Sequence, residues 1–302
     1  MYKKLLIIII LIVTFTMIGG CSNQEKLKVI VPNGTPLIAI AGVEDDDVIV
    51  ENVSGPSLLI ATMTSNTHDI IIAPIISGIE LYNKKSSVYK LDSIITFSNL
   101  YIVSKEQLKS INDLNGKKIV SFGQNTLPGL IMGKALEDID YEAIYVSSVS
   151  DAVGYLVNDT DEYDYILTSE PTLSTLIHKK NISLNIIDLS LIVKDHIPLI
   201  PQAGIFINPN SKNKVKIQEY VKSIKANIEY LNNNPKDYSE KVVALNDWLL
   251  QMGASIIEKS IPKSNIDFKK AKDEKENLEI FYKFLQENSN LLTGVPDDEF
   301  YN

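Results

Sequence analysis

The side chains with chemistry to offer in this chain are mostly uncharged, and they gather in short loops. Asn33-Gly34-Thr35-Pro36 follows one apolar run, Ala73-Pro74 and Ser77 follow another, and Thr96, Ser98 and Asn99 close a third. Gly123-Gln124-Asn125-Thr126, Ser147-Ser148, Ser169-Glu170 and Gln202 come later. Hydroxyls, amides and backbone N–H groups at such points can hydrogen-bond a small ligand, and glycine lets the backbone come close to it. They do not make a catalytic set. His68, His178 and His196 are scattered, with no H-E-x-x-H motif and no histidine pair at i, i+4. Val53-Ser54-Gly55-Pro56 is a turn, not a G-x-S-x-G nucleophile elbow, and the carboxylate pair Asp297-Asp298 lies in a terminal segment. Binding without bond-making is therefore expected, with no catalytic residue, no metal and no cofactor.

The loops must be held by a sizeable fold. The chain has 302 residues, 45% apolar and 22% charged, which suits two packed lobes of α/β type or one large domain. Its 29 basic residues are all lysines, against 38 acids, for a formal charge of -9. That balance argues against nucleic acid, whose phosphates draw on clustered Lys and Arg. Without arginine, no bidentate guanidinium fork is available to grip a carboxylate, phosphate or sulfonate.

The single cysteine belongs to the first residues. Lys3 and Lys4 form a positive start, residues 5–17 are an almost unbroken apolar stretch, and Ile18-Gly19-Gly20 places small residues before Cys21. Residues 1–20 read as a secretory signal peptide. The small residues placed directly before Cys21 resemble a bacterial lipobox, which implies a diacylglyceryl thioether on Cys21 as the first mature residue. Two acyl chains anchor durably where one binds marginally. Residues 21–26 read as a polar tether, so the mature domain is expected on the extracytoplasmic face of the cell membrane.

Beyond the tether, apolar runs alternate with helical patterns. Strands are expected at 27–31, 48–53, 70–72, 89–97 and 100–104, then at 119–122, 141–146, 163–168, 184–187 and 203–208. Helices are expected at 57–63, 127–136, 151–157 and 171–179, among others. Alternation of this kind points to βαβ units around mainly parallel sheet. After 203–208 the chain reads as helical to its end. Ile217, Val221, Ile224, Ile228 and Leu231 step by 4, 3, 4 and 3, an amphipathic helix stopped at Asn232-Asn233-Asn234-Pro235. Leu278, Phe281 and Leu285 mark another apolar face.

Several segments, in order, resemble the substrate-binding lipoproteins of bacterial ABC importers, in the branch related to nitrate, sulfonate and thiamine-pyrimidine binders. They are His68-Asp69-Ile70-Ile71-Ile72-Ala73-Pro74, Leu81-Tyr82-Asn83-Lys84, Asn99-Leu100-Tyr101-Ile102-Val103-Ser104 and the "DLxGKKI" match from Asp113 to Ile119. Ser169-Glu170-Pro171, Pro201-Gln202-Ala203-Gly204-Ile205-Phe206, Ile261-Pro262-Lys263-Ser264-Asn265 and Pro296-Asp297-Asp298-Glu299-Phe300-Tyr301 complete the series. The resemblance spans nearly all of residues 26–302. It implies an α/β type II periplasmic-binding-protein fold: two α/β lobes joined by two crossover strands, with a helical C-terminal part. Residues 27–104 with 205–302 would form lobe 1 and 105–204 lobe 2. It also implies a small-molecule ligand and, as partners, an ABC permease with its ATPase, around a monomer.

In open α/β sheets ligands lie beyond the carboxyl ends of strands. The expected ligand-binding residues are therefore Asn33, Gly34, Thr35, Pro74, Ser98, Asn99, Gly123, Gln124, Asn125, Thr126, Ser148, Glu170 and Gln202. Gly34 and Gly123 serve turn geometry equally well. Glu170 either recognises a cationic amine or ring nitrogen, or is simply an acid favoured at a helix start. Trp248, Tyr82 and Tyr101 read as structural. A small neutral or weakly basic nutrient, such as a thiamine-related pyrimidine, is the expected ligand. The rival readings are a ligand-sensing surface lipoprotein not coupled to transport and, further off, an extracytoplasmic enzyme.

Overall fold

Two sheets form because the apolar runs alternate at period two and bury both faces. The computed structural model describes residues 25–158, 163 and 165–302. The signal-peptide and Cys21 readings lie outside them. The strands are β1 (Leu27–Pro32), β2 (Val48–Val53), β3 (Ile70–Pro74), β4 (Lys90–Phe97), β5 (Leu100–Ser104), β6 (Lys117–Phe122), β7 (Tyr141–Val146), β8 (Tyr165–Ser169), β9 (Asn185–Asp188), β10 (Pro201–Ile207) and β11 (Ile266–Lys270). One sheet has the order β11-β4-β10-β3-β1-β2 and the other β7-β6-β8-β5-β9. In β1, Leu27, Val29 and Val31 enter one core while Ile30 enters another on the opposite face; in β3, Ile70 and Ile72 part from Ile71 in the same way. The second sheet repeats this: Leu100 and Ile102 of β5 face one core, Tyr101 and Val103 the other.

The helices fill the faces. They are α1 (Thr35–Ile40), α2 (Pro56–Ser65), α3 (Ile75–Asn83), α4 (Leu127–Ala135), α5 (Val149–Val157), α6 (Thr172–Ser174, continued as a π-turn over Thr175–Lys179), α7 (Leu189–Val193), α8 (Lys214–Asn233), α9 (Pro235–Val242), α10 (Asp247–Met252), α11 (Ala254–Ser260) and α12 (Lys275–Asn288). The predicted stripe of α8, Ile217 to Leu231, is buried against the first sheet. α12 buries Leu278, Phe281, Tyr282 and Leu285.

Three features differ from the sequence reading. The chain is not helical to its end: β11 adds an antiparallel edge to β4, with Ile266 opposite Thr96 and a register shift before Lys269. Only Ile266 of its five residues is buried, so its period-two signal is weak. The sheets are mixed, because β10 runs antiparallel to both β3 and β4, and β5 to both β8 and β9. Finally, β5 belongs to the second sheet and β10 begins at Pro201 in the first. The chain therefore crosses at Ser98–Asn99 and returns just before Pro201, rather than at residues 104 and 204. A run apolar on both faces, such as β5, carries no local mark of which sheet it joins.

Candidate functional site

Parallel pairing brings the carboxyl ends of β1 and β3 together in the first sheet, and those of β6 and β8 in the second. The loops beyond them lead into helices, and a cleft of about 400 Å³ opens there. Pro32, Thr35 and Pro36 reach it from the turn between β1 and α1, and Pro74, Ile76 and Ser77 from the start of α3. Thr126, Leu127 and Pro128 face them from the start of α4. Thr96, Pro201, Gln202 and Ala203 floor it from the crossing strands, and Leu291 closes one side.

Local chemistry fixes these walls. Gly34 has φ +114°, which a side chain rarely tolerates, and it swings the chain from β1 into α1. Gly123 has φ +78°; a Cβ there would lie 2.7 Å from the Thr126 hydroxyl oxygen and 3.0 Å from Pro128. That hydroxyl donates to the Gly123 carbonyl at 2.8 Å, so it does not cap α4. The start of α3 likewise has no side-chain cap. At the start of α4 Pro128 has no N–H and the Gly129 N–H donates to the Gly123 carbonyl at 3.2 Å, leaving the Leu127 N–H; both helix starts direct partial positive charge toward the cleft. The polar side chains lining it are Thr35, Ser77, Thr96, Thr126 and Gln202, with no charged one among the described lining residues. Thr96 is already engaged, accepting from the Ala203 N–H at 3.1 Å. The arrangement suits a small molecule with hydrogen-bond acceptors on a largely apolar body.

Of the sequence-predicted residues, Thr35, Pro74, Thr126 and Gln202 line the cleft. Gly34, Gly123, Gln124 and Asn125 shape its rim loops, with Asn125 exposed at a left-handed φ of 57°. Asn33 is engaged elsewhere: its amide donates to the Ser54 hydroxyl at 2.9 Å and accepts from Asn52 at 2.8 Å. Asn99 is buried at the crossing and accepts from the Gln202 amide at 3.4 Å, tying the two crossovers together.

Ser98, Ser148 and Glu170 line no part of the cleft. Ser148 caps α5, accepting from Asp151 N–H at 3.1 Å and donating to its carboxylate at 2.8 Å. Glu170 precedes the cis bond to Pro171 and is 5% exposed. Its two oxygens accept from the Ser174 N–H at 3.2 Å and the Ser174 hydroxyl at 3.0 Å. Burial pushes its carboxyl up to about 7, against the opposing pull of the Ser174 bonds and the Lys263 charge. Its carboxylate is thus buried against Ser174 and lines no part of the cleft.

Sequence reasoning missed Leu127, Pro128, Pro201 and Leu291 as walls. Nothing local marks Leu291. It reaches the cleft because the C-terminal segment is pinned along α3: Thr293 N–H donates to Glu80 at 2.6 Å, Asn83 to the Gly294 carbonyl at 2.7 Å and Tyr82 to Asp297 at 2.7 Å. Tyr82 is thus structural. So is Tyr101, whose hydroxyl donates to the Lys263 carbonyl at 2.5 Å. Among the described residues no three His, Cys, Asp or Glu side chains converge on a metal position, and no helix is long and apolar enough to cross a membrane.

Two α/β lobes, joined by two crossings and opening a cleft at helix starts, define the type II periplasmic-binding-protein fold. Solved structures with this fold match more than nine-tenths of the chain. An ABC transporter protein from Parabacteroides distasonis has a TM-score of 0.77 at 22% identity, over 92% of this chain and 99% of that one. A sulfonate-binding protein SsuA from Methylobacillus flagellatus, given as a component of a sulfonate ABC transporter, reaches 0.65 at 16%, over 92% and 91%. The periplasmic aliphatic sulphonate binding protein SsuA from Escherichia coli reaches 0.63 at 12%, over 91% and 98%. No family model matches the sequence, and no curated protein does.

Proposed function

We propose that this protein is the extracytoplasmic ligand-binding component of an ABC importer, anchored through a lipidated Cys21. It captures a small organic nutrient in the cleft and hands it to a permease without changing a bond. The observation that carries this reading is the cleft itself, about 400 Å³ between the two lobes, walled by prolines and aliphatic side chains and supplied with uncapped helix starts. The fold shared with transporter components supports it. A ligand touching both lobes favours their closed arrangement by whatever extra contacts it makes there, and a permease can read that arrangement.

The uncharged lining favours a ligand whose polar groups are acceptors, neutral or weakly anionic, over a cation. Sulfonates, named for two of the similar proteins, would have to rest on N–H groups and hydroxyls, since the chain has no arginine. A thiamine-related pyrimidine remains compatible as a neutral, acceptor-bearing ring.

The test is a thermal-shift and calorimetric screen of vitamins, amines, amino acids and sulfonates. It uses the chain from Ser22 onward, which holds both sheets and their whole core, with Leu127→Trp as the blocked-cleft variant. A hit whose affinity falls at least tenfold in Leu127→Trp, with the melting temperature of the free variant unchanged, is the expected result. A screen in which no hit is weakened by that variant, or turnover of a compound, would overturn the reading.

A further inference from the structure

Leu291 stands apart among the residues that wall the cleft. Every other one comes from a strand end, a helix start or a crossing strand of the two sheets. Leu291 comes from residues 289–297, which form neither helix nor strand. Among the described residues, no backbone–backbone hydrogen bond ties residues 290–296 to the rest of the chain. Side chains of α3 hold them instead. One Glu80 oxygen accepts from the Thr293 N–H at 2.6 Å and from its hydroxyl at 3.0 Å, while the other meets Lys84 at 3.0 Å. The Asn83 amide donates to the Gly294 carbonyl, and the Tyr82 hydroxyl to Asp297, each at 2.7 Å. Leu292 is buried in the core beneath.

The same helix therefore meets the cleft at its start, through Ile76 and Ser77, and holds the segment that carries Leu291 farther along. Ser77 lies about one helical turn before Glu80, and Leu291 two residues before the Thr293 that Glu80 grips. Both positions are thus on the cleft side of one contact, and both line the cleft. Leu291 is half-buried, packed on the core on one side and open to the cleft on the other. A stretch of chain without backbone bonds of its own opens locally more easily than a strand or helix. Its place depends on the α3 side chains, and the bonds to the Glu80 carboxylate are the charge-assisted, stronger ones.

We propose that Leu291 is a specificity-determining residue of the cleft, limiting the size of ligand on its side, and that Glu80 is the residue that positions it. The inference rests on the reading of the cleft as a ligand site. A branched aliphatic side chain held in place excludes groups that would need its volume, and a closely packed apolar wall rejects extra bulk by strain. Releasing Thr293 from Glu80 would let the segment, and Leu291 with it, move away from the cleft without altering either sheet.

The chain from Ser22 onward contains no cysteine, so Ser77→Cys gives it a single thiol on the cleft wall. Its rates of reaction with methyl methanethiosulfonate and with benzyl methanethiosulfonate compare a small and a bulky probe of the same chemistry. The benzyl-to-methyl rate ratio should rise about tenfold on adding Leu291→Ala, the lower end for a size change in an apolar pocket, and fall on adding Leu291→Phe. Glu80→Ala should raise it similarly, whereas Glu80→Gln, which keeps an acceptor for Thr293, should leave it near the parent's. General loosening of the fold would speed both reagents alike and leave the ratio unmoved. A ratio that Leu291→Ala leaves unmoved, or that Leu291→Phe raises, would overturn the role of Leu291. Equal ratios in Glu80→Ala and Glu80→Gln would overturn that of Glu80. A thiol that neither reagent reaches in any variant would instead refute the cleft reading on which both roles rest.

Discussion

Replacing Glu170 by glutamine should remove a pH-dependent weakness built into the fold. The carboxyl ionises at about 7 in the folded protein and near 4.5 when free, because burial disfavours its charged form more than Ser174 and Lys263 favour it. Below pH 4.5 both folded and unfolded chains hold the proton, and the group is neutral to stability. Between 4.5 and 7 the unfolded chain releases the proton while the folded one keeps it, so unfolding becomes easier as pH rises. The slope is about 1.4 kcal/mol per pH unit, and the full loss, complete above pH 7, is about 3 kcal/mol. Glutamine keeps the size and the acceptor for Ser174 but cannot ionise. Urea unfolding of both proteins at pH 5 and pH 8 isolates the effect from other titrating groups, since only the difference between them matters. Glu170→Gln should gain about 2–3 kcal/mol on the parent between those two values. An unchanged difference would refute the reasoning, and a parent that gains on the variant would show that the Ser174 and Lys263 interactions outweigh burial.

Two further substitutions probe the packing that holds the cleft walls. Gly78 of α3 lies against Phe206, and a Cβ there would sit 2.2 Å from the ring. Gly78→Ala should cost about 1–3 kcal/mol by overpacking, read by urea unfolding, and Phe206→Leu in the same chain should recover part of it. Tyr238 is fully buried; its hydroxyl donates to the Ile38 carbonyl and accepts from Gly42 N–H at 3.1 Å and the Asn227 amide at 3.3 Å. Tyr238→Phe leaves these groups short of a partner and should cost about 1–3 kcal/mol, with faster amide exchange at Gly42.

Much of the scaffold was legible because its signals are local. β2, β5 and β7 occupy the residues expected of them, and α8 buries the stripe read from its spacing. Thr35, Pro74 and Thr126 could be named as cleft residues because a loop at the carboxyl end of a buried strand has a defined place in an α/β sheet. Glu170 too follows such a strand, yet its carboxylate turns onto Ser174. The direction a side chain takes there depends on packing, not on position in the sequence. Ser98, one residue beyond β4, is buried at the crossing and lines no part of the cleft.

The sequence by itself determined where most strands and helices lie, since apolar spacing of two or of three to four residues acts within a few turns of chain. It also determined the absence of a guanidinium, and with it the chemistry open to the cleft. Tertiary structure alone decided that β5 joins the second sheet, that the weak β11 pairs with β4, and that Leu291 and Gln202 meet across the cleft. Those outcomes rest on contacts between residues tens to hundreds of positions apart. Such contacts are chosen by how whole buried faces fit one another, and no short window of sequence carries that information.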